Sequence, residues 1–547
     1  MIRSGRGFAF AVALAVMALG MVPYLYGWAM VGARPGLGVF SWCTFNATDN
    51  CVYFSWLRQA DEGRFFQRSL FTTAAQSGGH LNLFFLLVGN VARMTGAPLA
   101  LVYQGARIVV GIAFLRAVWW LIGLLVAGER TRRVCFLVVC LSSGLGWLPG
   151  LWEQGFGGPV DIWQPEAVTF LSLELFPLFA VSLLLMVGAL GWLVVAERTG
   201  SRRAAVNAGL CGLVLGNVHT YDVITVVAVW GTYRAVRIVR DRRLDARAWS
   251  GAVLAAAIAA PASVYMTYLA RTDVVFAHRI GMETPSAPLA MCVLGFGLVF
   301  CLAVLAATGR RDDAWVSRDA RLFLVAWAVA NVAVAYVPVP FQRKMLMGAH
   351  IPLAILAGVA LDDFLVRLAR GSRPRYAVAL GASLSVLFAT NARFMARTID
   401  GITRRDEPVR YYVYAGEATA LEWIRVHAAP GVPVQPLPWV TGMLEPVDHT
   451  LACMTPGATG HPVNAGHWAE TPDFAGAIRA WARFVAPEAS DEERRSLLRR
   501  TGVRYLVFSQ KHDGAVAPFR SGIPSYLRLV PDASNADADV YEVTVPQ

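Results

Sequence analysis

Apolar residues gather into long runs, and polar residues sit mainly in the joints between them. The runs lie near residues 8–31, 98–127, 134–152, 169–195, 204–218, 222–238, 249–270, 288–308, 321–337, 345–365 and 376–395. A helix needs roughly 20 apolar residues to cross a bilayer, so the pattern predicts about eleven spans. The first run follows Ile2-Arg3-Ser4-Gly5-Arg6 and is longer than the apolar stretch of a signal peptide. It carries Pro23, Tyr24, Tyr26 and Trp28 in the manner of an interfacial aromatic belt. We read it as a retained first span.

The pattern changes after about Thr403. Ala418 to Ala428 reads as a helix anchored by Leu421, Trp423 and Ile424. Thr471 to Val485 and Asp491 to Thr501 read as further helices, the second with Asp491 and Glu492 at its start and Arg499-Arg500 at its end, as the helix dipole favours. Val432 to Leu437, Arg504 to Ser509 and Val540 to Val545 read as strands. Residues 1–400 are thus expected to form a transmembrane domain, and 401–547 a soluble α/β domain. No internal repeat is visible.

Composition agrees. Hydrophobic residues make up 56% of the 547-residue chain and charged residues only 16%, with a mean hydropathy of +0.48. A soluble protein carries about 25% charged residues. The net charge of +12 would suggest nucleic acid in a soluble chain. Here the basic residues occupy short joints: Arg130 to Arg133, Arg198 with Arg202 and Arg203, Arg234 to Arg247, Arg310 to Arg321, and Arg367 to Arg375. With the spans counted as above, all fall on the side of the N-terminus, which the positive-inside rule makes cytoplasmic. Nucleic acid is therefore not expected as a partner, whereas the lipid bilayer is. His80 to Thr95 is apolar too, but a full span there would flip every later cluster, so it is read as interfacial or re-entrant. The basic residues are Arg except for Lys344 and Lys511, which with the abundant Ala, Val and Gly points to a GC-rich bacterial genome.

This topology places two long loops outside. The first, about Gly32 to Gly79, holds a surface helix from Asp49 to Gly63 with Asp49 at its cap. Cys43 and Cys51 flank a turn there, and a disulfide between them fits an oxidising compartment. Cys453 has no evident partner, and the other five cysteines lie in apolar runs. The second loop, Trp152 to Val168, carries Asp161 and Glu166 and no Lys or Arg.

A carboxylate such as Asp49 suits a general base or a metal ligand. Asp161 and Glu166 form a second acidic site. His219-Thr220-Tyr221-Asp222 joins two short apolar runs, as polar residues lining a cavity do. Gln342-Arg343-Lys344 puts two adjacent cations on the outer side against the positive-inside trend, which an anionic lipid phosphate would explain. Arg107 and Arg116 lie within an apolar run, where charges take functional or paired roles, and Glu174 and Asp222 are the available partners for a paired one. His461, His467 and Glu470 either line a site or cap a helix beginning at Thr471, with the cap the favoured reading. His80 lies on the outer side as well.

Several stretches carry a likeness to a known group. They are Asp49-Asn50-Cys51-Val52-Tyr53 followed by Gly63, Pro165-Glu166-Ala167 before a span, and Pro340-Phe341-Gln342-Arg343-Lys344 before Pro352-Leu353. Ala420-Leu421-Glu422-Trp423-Ile424 and Gly466-His467-Trp468-Ala469-Glu470-Thr471 add to them. The whole resembles the GT-C superfamily of membrane glycosyltransferases, which includes protein mannosyltransferases, oligosaccharyltransferases and bacterial lipid A aminoarabinose transferases. The resemblance implies a mainly α fold: a polytopic transmembrane bundle of GT-C type with an extracytoplasmic α/β domain, in a bacterial inner membrane. It implies transfer of a hexose or pentose from a polyprenyl-phosphate donor to a glycan, lipid or protein acceptor. Asp49 would be the base or acceptor-orienting group, and Asp161 or Glu166 would assist it. Arg343 and Lys344 would hold the donor phosphate. His80, His219, Tyr221, Asp222, His467 and Glu470 would line the cavity. A divalent cation, held by Asp49, Asp161 or Glu166, is the one cofactor in view. Asn50 follows Asp49 where some subfamilies carry a second acid, which favours the base role there over metal binding. The rival readings are a transporter for lipid-linked sugars and a catalytically silent envelope-assembly protein.

Overall fold

The computed structural model describes residues 2–34, 36, 38–243, 246–309, 316–404, 411–438, 451–510, 519 and 522–544. Lys511, Val545 of the last expected strand, and residues 244–245 and 310–315 of two basic clusters lie outside the described residues. In chain order the helices are α1 (Ile2–Gly20), α2 (Val22–Ala33), α3 (Ala47–Asp61), α4 (Leu83–Thr95), α5 (Leu99–Leu125) and α6 (Glu129–Leu141). Then come α7 (Thr169–Leu175), α8 (Pro177–Thr199), α9 (Arg202–Val218), α10 (Tyr221–Asp241), α11 (Ala246–Thr272) and α12 (Val274–Gly281). They are followed by α13 (Leu289–Thr308), α14 (Arg318–Val334), α15 (His350–Ala369) and α16 (Arg373–Arg404). Four shorter helices and most strands lie beyond. The chain divides into two compact units, one of Met1–Val22, Gln104–Thr267 and Glu283–Arg397, the other of Pro23–Tyr103, Tyr268–Met282 and Thr398–Gln547.

The first unit is helical. Among the described residues, α5, α8, Trp249–Thr272 of α11, α13 and α16 are long and apolar enough to cross a membrane, and α1 and α2 pass the same test only when taken together as a bent pair. The remaining apolar runs hold α6, α9, α10, α14 and α15, which are shorter or carry more charge. Two runs are not continuous helices. The run at 134–152 leaves the helix at Leu141. There the backbone of Gly144 approaches that of Gly295 so closely that a Cβ on Gly144 would lie 2.2 Å from the Gly295 oxygen. The run at 169–195 breaks at Phe176, which is extended (φ −138°, ψ 117°) because Pro177 follows. The carbonyls left open at the end of α7 are satisfied by Arg107, whose Nη1 donates to the oxygens of Leu173 (3.1 Å) and Glu174 (2.6 Å). Arg107 therefore caps a broken helix through backbone carbonyls. Arg116, the other intramembrane cation, is exposed.

The second unit gathers the first loop and the C-terminal chain. The strands β1 (Val39–Phe40) and β2 (Tyr412–Val413) pair antiparallel, joining that loop to the chain after α16. Helix α4 packs on α3, and a Cβ on Gly89 would meet the Leu57 oxygen at 2.6 Å. With 13 residues and a rise of about 1.5 Å each, α4 is roughly 20 Å long, short of the ~30 Å hydrocarbon core. The C-terminal sheet has the order β3 (Val434–Pro436), β4 (Tyr505–Ser509), β6 (Ala538–Val543), β5 (Leu527–Leu529), with β3 and β4 parallel and the other pairs antiparallel. It buries both faces. Leu506 and Phe508 pack with Trp481, Phe484 and Leu498, while Val507 between them packs with Leu421, Ile424 and Val540. This is the period-2 alternation of a strand.

Helix ends differ from the sequence reading. The helix expected from Thr471 runs Phe474–Val485 and is capped by Asp473, whose carboxylate accepts from Gly476 N at 3.2 Å. His461, His467 and Glu470 do not cap it. Helix α3 starts at Ala47 with Asn46 as its cap residue, which places Asp49 inside the first turn.

Candidate functional site

In the first unit the loop between α6 and α7 and the segment before α15 meet. Asp161 is fully buried, and one of its oxygens accepts from the backbone N–H groups of Gly144 (2.9 Å) and Gly146 (3.2 Å). Its other oxygen, Oδ1, has no hydrogen-bond partner among the described residues. Burial pushes the Asp161 carboxyl up to about 6, against hydrogen bonds from Thr390, Gly146 and Gly144 that pull it down. Its place is made by glycine: a Cβ on Gly146 would lie 2.8 Å from Asp161 Oδ1, and one on Gly295 would lie 2.7 Å from Val160 N.

Glu166 lies one short turn further on and is partly buried. Burial raises its carboxyl above the ordinary range, while Arg343, Lys344 and His219 pull it down. Arg343, Lys344 and His219 thus share one electrostatic neighbourhood with Glu166.

Arg343 and Lys344 lie in a short 3-10 turn, Gln342–Leu346. Gln164 donates to the Arg343 oxygen at 2.9 Å, and Asn331 donates to the Met345 oxygen at 2.7 Å, holding the turn in place. The Arg343 guanidinium lies 5.7 Å from the centre of the Trp163 ring, and Lys344 Nζ lies 4.9 Å from that of Tyr221. Tyr221 also packs on Phe341, 4.5 Å between centroids. Among the described residues, neither cation forms an ion pair with a carboxylate.

His219 ends α9, and Asp222 sits in the first turn of α10. His219 Nδ1 lies 2.9 Å from Asp222 Oδ2, and Ser182 Oγ donates to the same oxygen. An ionised carboxylate only accepts, so Nδ1 carries the proton and Nε2 is left for another partner. His219 packs edge-on to Tyr221 (5.5 Å), which ties this pair to Lys344. Arg343, Lys344, Tyr221, His219, Asp222 and Glu166 therefore form one group. Asp161 stands apart as a backbone anchor.

In the second unit Asn46 takes a left-handed conformation (φ 44°), and its side chain donates to Asp49 Oδ2 at 2.6 Å. Buried His467 accepts from Ala469 N at Nδ1 (3.1 Å), so its Nε2 carries the proton, and Nε2 lies 3.7 Å from Asp49 Oδ1. Glu470 pairs with Arg279 at 3.2 Å, and the Arg279 guanidinium lies 4.6 Å from the centre of the Trp56 ring. Trp56 in turn packs on His80 at 4.9 Å. Burial, with Arg279 adding to it, holds the His80 imidazole well below its ordinary range. Trp56, His80, Arg279 and Glu470 line a cavity of about 20 Å³, room for about one water.

The residues expected to line one cavity thus divide. His219, Tyr221 and Asp222 belong to the first unit, and His80, His467 and Glu470 to the second. Asp222 pairs with His219 and Ser182, not with Arg107 or Arg116. Trp163, Phe341 and Arg279 were not singled out from sequence. Trp163 and Phe341 are close in the chain to Glu166 and Arg343, but only packing shows that aromatic rings bed the cations. Among the described residues, no three His, Cys, Asp or Glu side chains converge where they could hold a metal ion.

No family model matches the chain, and no curated protein matches it in sequence. Solved structures do. The mycobacterial arabinofuranosyltransferase AftD matches with a TM-score of 0.60 at 15% identity, over 100% of this chain and 40% of that one. The Archaeoglobus fulgidus oligosaccharyltransferase, in complex with Zn and sulfate, matches at 0.56 and 12% identity over 92% of this chain and 68% of that one. ArnT from Cupriavidus metallidurans, bound to undecaprenyl phosphate, matches at 0.52 and 14% identity over 96% and 97%. The chain spans well under half the length of AftD and nearly all of ArnT. At these identities the likeness establishes the fold alone, the one this chain shares with these three solved structures.

Proposed function

We propose that this GT-C chain is a membrane glycosyltransferase that moves a sugar from a polyprenyl-phosphate donor to an extracytoplasmic acceptor. The observation that carries the reading is the pair Arg343 and Lys344, bedded on Trp163 and Tyr221 with no carboxylate partner among the described residues. Two adjacent cations that make no ion pair among the described residues, with only the single carboxyl of Glu166 in their electrostatic neighbourhood, suit an anion that arrives from elsewhere. The undecaprenyl phosphate bound to ArnT supports a lipid phosphate as that anion.

In the proposed reaction the acceptor hydroxyl attacks the anomeric carbon, its proton passes to a carboxylate, and the bond from sugar to phosphate breaks. Charge grows on the departing phosphate, where Lys344 acts as a point charge and Arg343 as a planar two-pronged donor. Asp222 holds His219 in one orientation, so Nε2 can meet a phosphate oxygen when the ring is protonated. Asp49 is the proposed base for the acceptor hydroxyl, oriented by the hydrogen bond from Asn46. Glu166 is the assisting carboxylate. We assign Asp161 a positioning role because it accepts from the backbone N–H groups of Gly144 and Gly146 and from the Thr390 side chain, tying its loop together and to α16. The outer face of a bacterial inner membrane, with a cytoplasmic N-terminus, is the proposed setting. A divalent cation joining the substrate remains part of this proposal, without an assigned ligand set.

The test is transfer in proteoliposomes holding the full chain, supplied with radiolabelled polyprenyl-phosphate sugars and an envelope acceptor fraction. Label reaching the acceptor with the wild type but not with Asp49→Asn supports the reading. Absence of transfer from every donor by well-folded protein overturns it and favours a transport or scaffold role.

A further inference from the structure

Three cysteines of the second unit are buried: Cys43, Cys51 and Cys453. The sequence pairs Cys43 with Cys51 by nearness in the chain. The structure gives a different neighbour. Cys51 Sγ lies 3.5 Å from Cys453 Sγ, across 402 residues of sequence. The Cys43 thiol instead points to the Ser41 oxygen at 3.6 Å. Cys51 is on α3, and Cys453 ends a short 3-10 turn, Leu451–Cys453.

The surroundings hold these two elements together. Arg58 of α3 donates to the Gly457 oxygen at 3.2 Å. A Cβ on Gly457 would lie 2.8 Å from Phe54 Cβ, so the following helix, Thr455–Thr459, packs on α3 at van der Waals contact. A disulfide bond is about 2.05 Å long, so the two sulfurs need to close by about 1.5 Å, within the reach of small side-chain rotations.

We propose that Cys51 and Cys453 form a disulfide in the mature protein. In the step two S–H bonds break and one S–S bond forms. The two hydrogens pass to the disulfide of a thiol oxidant, whose own S–S bond opens to two thiols. The bond ties the helix that bears Asp49, two residues before Cys51, to the chain segment that leads to His467. It stabilises by restricting the unfolded chain across a very long loop. The proposal rests on the reading that this unit faces an oxidising compartment.

The test is peptide mapping of the full chain, purified from membranes with free thiols alkylated at lysis. A linked peptide pair containing Cys51 and Cys453 is expected. So is a fall in the thermal midpoint on adding a phosphine reductant, absent in the Cys51→Ala/Cys453→Ala double variant. A Cys43–Cys51 link, or alkylation of both Cys51 and Cys453, overturns the proposal. In the second case the purified wild type is then incubated with oxidised glutathione. Closure shows that the pair is sound and the compartment reading wrong. Failure to close shows that the pair itself cannot bond. Neither result depends on whether the protein transfers a sugar.

Discussion

His467 turns its Nε2 to within 3.7 Å of the Asp49 carboxylate. The two residues come from distant parts of the chain, and each is fixed independently. Asn46 holds the carboxylate, and the backbone N–H of Ala469 holds the ring. At 3.7 Å the contact is electrostatic, so His467 tunes the carboxylate more than it anchors it.

On the proposed base role, Asp49→Asn is expected to lower kcat about 10²- to 10⁴-fold, the usual size of a general-base contribution. His467→Ala should lower it less and shift the pH–rate profile, because it removes the N–H dipole beside the base without removing the base. Steady-state transfer across pH checks both. Equal rates for wild type and Asp49→Asn would remove Asp49 from the mechanism.

Arg343→Ala and Lys344→Ala should weaken donor binding. Losing a hydrogen bond to a charged partner costs about 1.5–3 kcal/mol, or about 10- to 100-fold in affinity for the lipid donor. The acceptor KM should not change. Arg343→Lys should recover only part of the loss, since an ammonium lacks the planar fork. Titration with the polyprenyl phosphate itself, without sugar, provides the readout.

Asp161 makes stability depend on pH. Its carboxyl is pushed up to about 6 in the folded protein, from an ordinary 3.8. Between those values the folded state keeps a proton that the unfolded chain has released. The contribution is therefore greatest below about pH 4 and falls as pH rises to about 6, a change of about 3 kcal/mol. Asp161→Asn cannot titrate and should lack this fall. The difference in thermal midpoint between variant and wild type, followed from pH 4 to 7, measures it, and a difference that does not vary with pH would contradict it.

Gly144→Ala and Gly295→Ala should each destabilise the first unit. A Cβ at either place meets backbone at 2.2 Å or 2.7 Å, which a side-chain rotation cannot relieve. Overpacking of this kind costs about 1–3 kcal/mol or more. Gly123→Ala, where a Cβ meets nothing within 4 Å, is the control. Thermal unfolding in detergent is expected to separate the two from the control.

Several features were legible because they depend on near neighbours. Each of the eleven apolar runs holds a helix, since burial in lipid leaves a mark on every residue of a span. His219 and Asp222 could be read as a unit because three residues bring two side chains to one side of a turn. Arg343 and Lys344 stood out because their charge opposed the trend around them. Helix starts were less legible. Asp49 and Asn46 both suit an N-cap, and the choice between them rests on backbone angles that composition does not record.

By itself the sequence determined the succession of helices and the short motifs that carry charge. These follow from local hydrophobicity, which acts on each segment separately. Tertiary structure alone decided which distant groups meet: Arg343 over Trp163, Arg107 on the carbonyls of Leu173 and Glu174, Asp49 beside His467, Cys51 beside Cys453. Such meetings depend on how helices pack once formed. A pattern of apolar and polar positions says which face is buried but not what it is buried against.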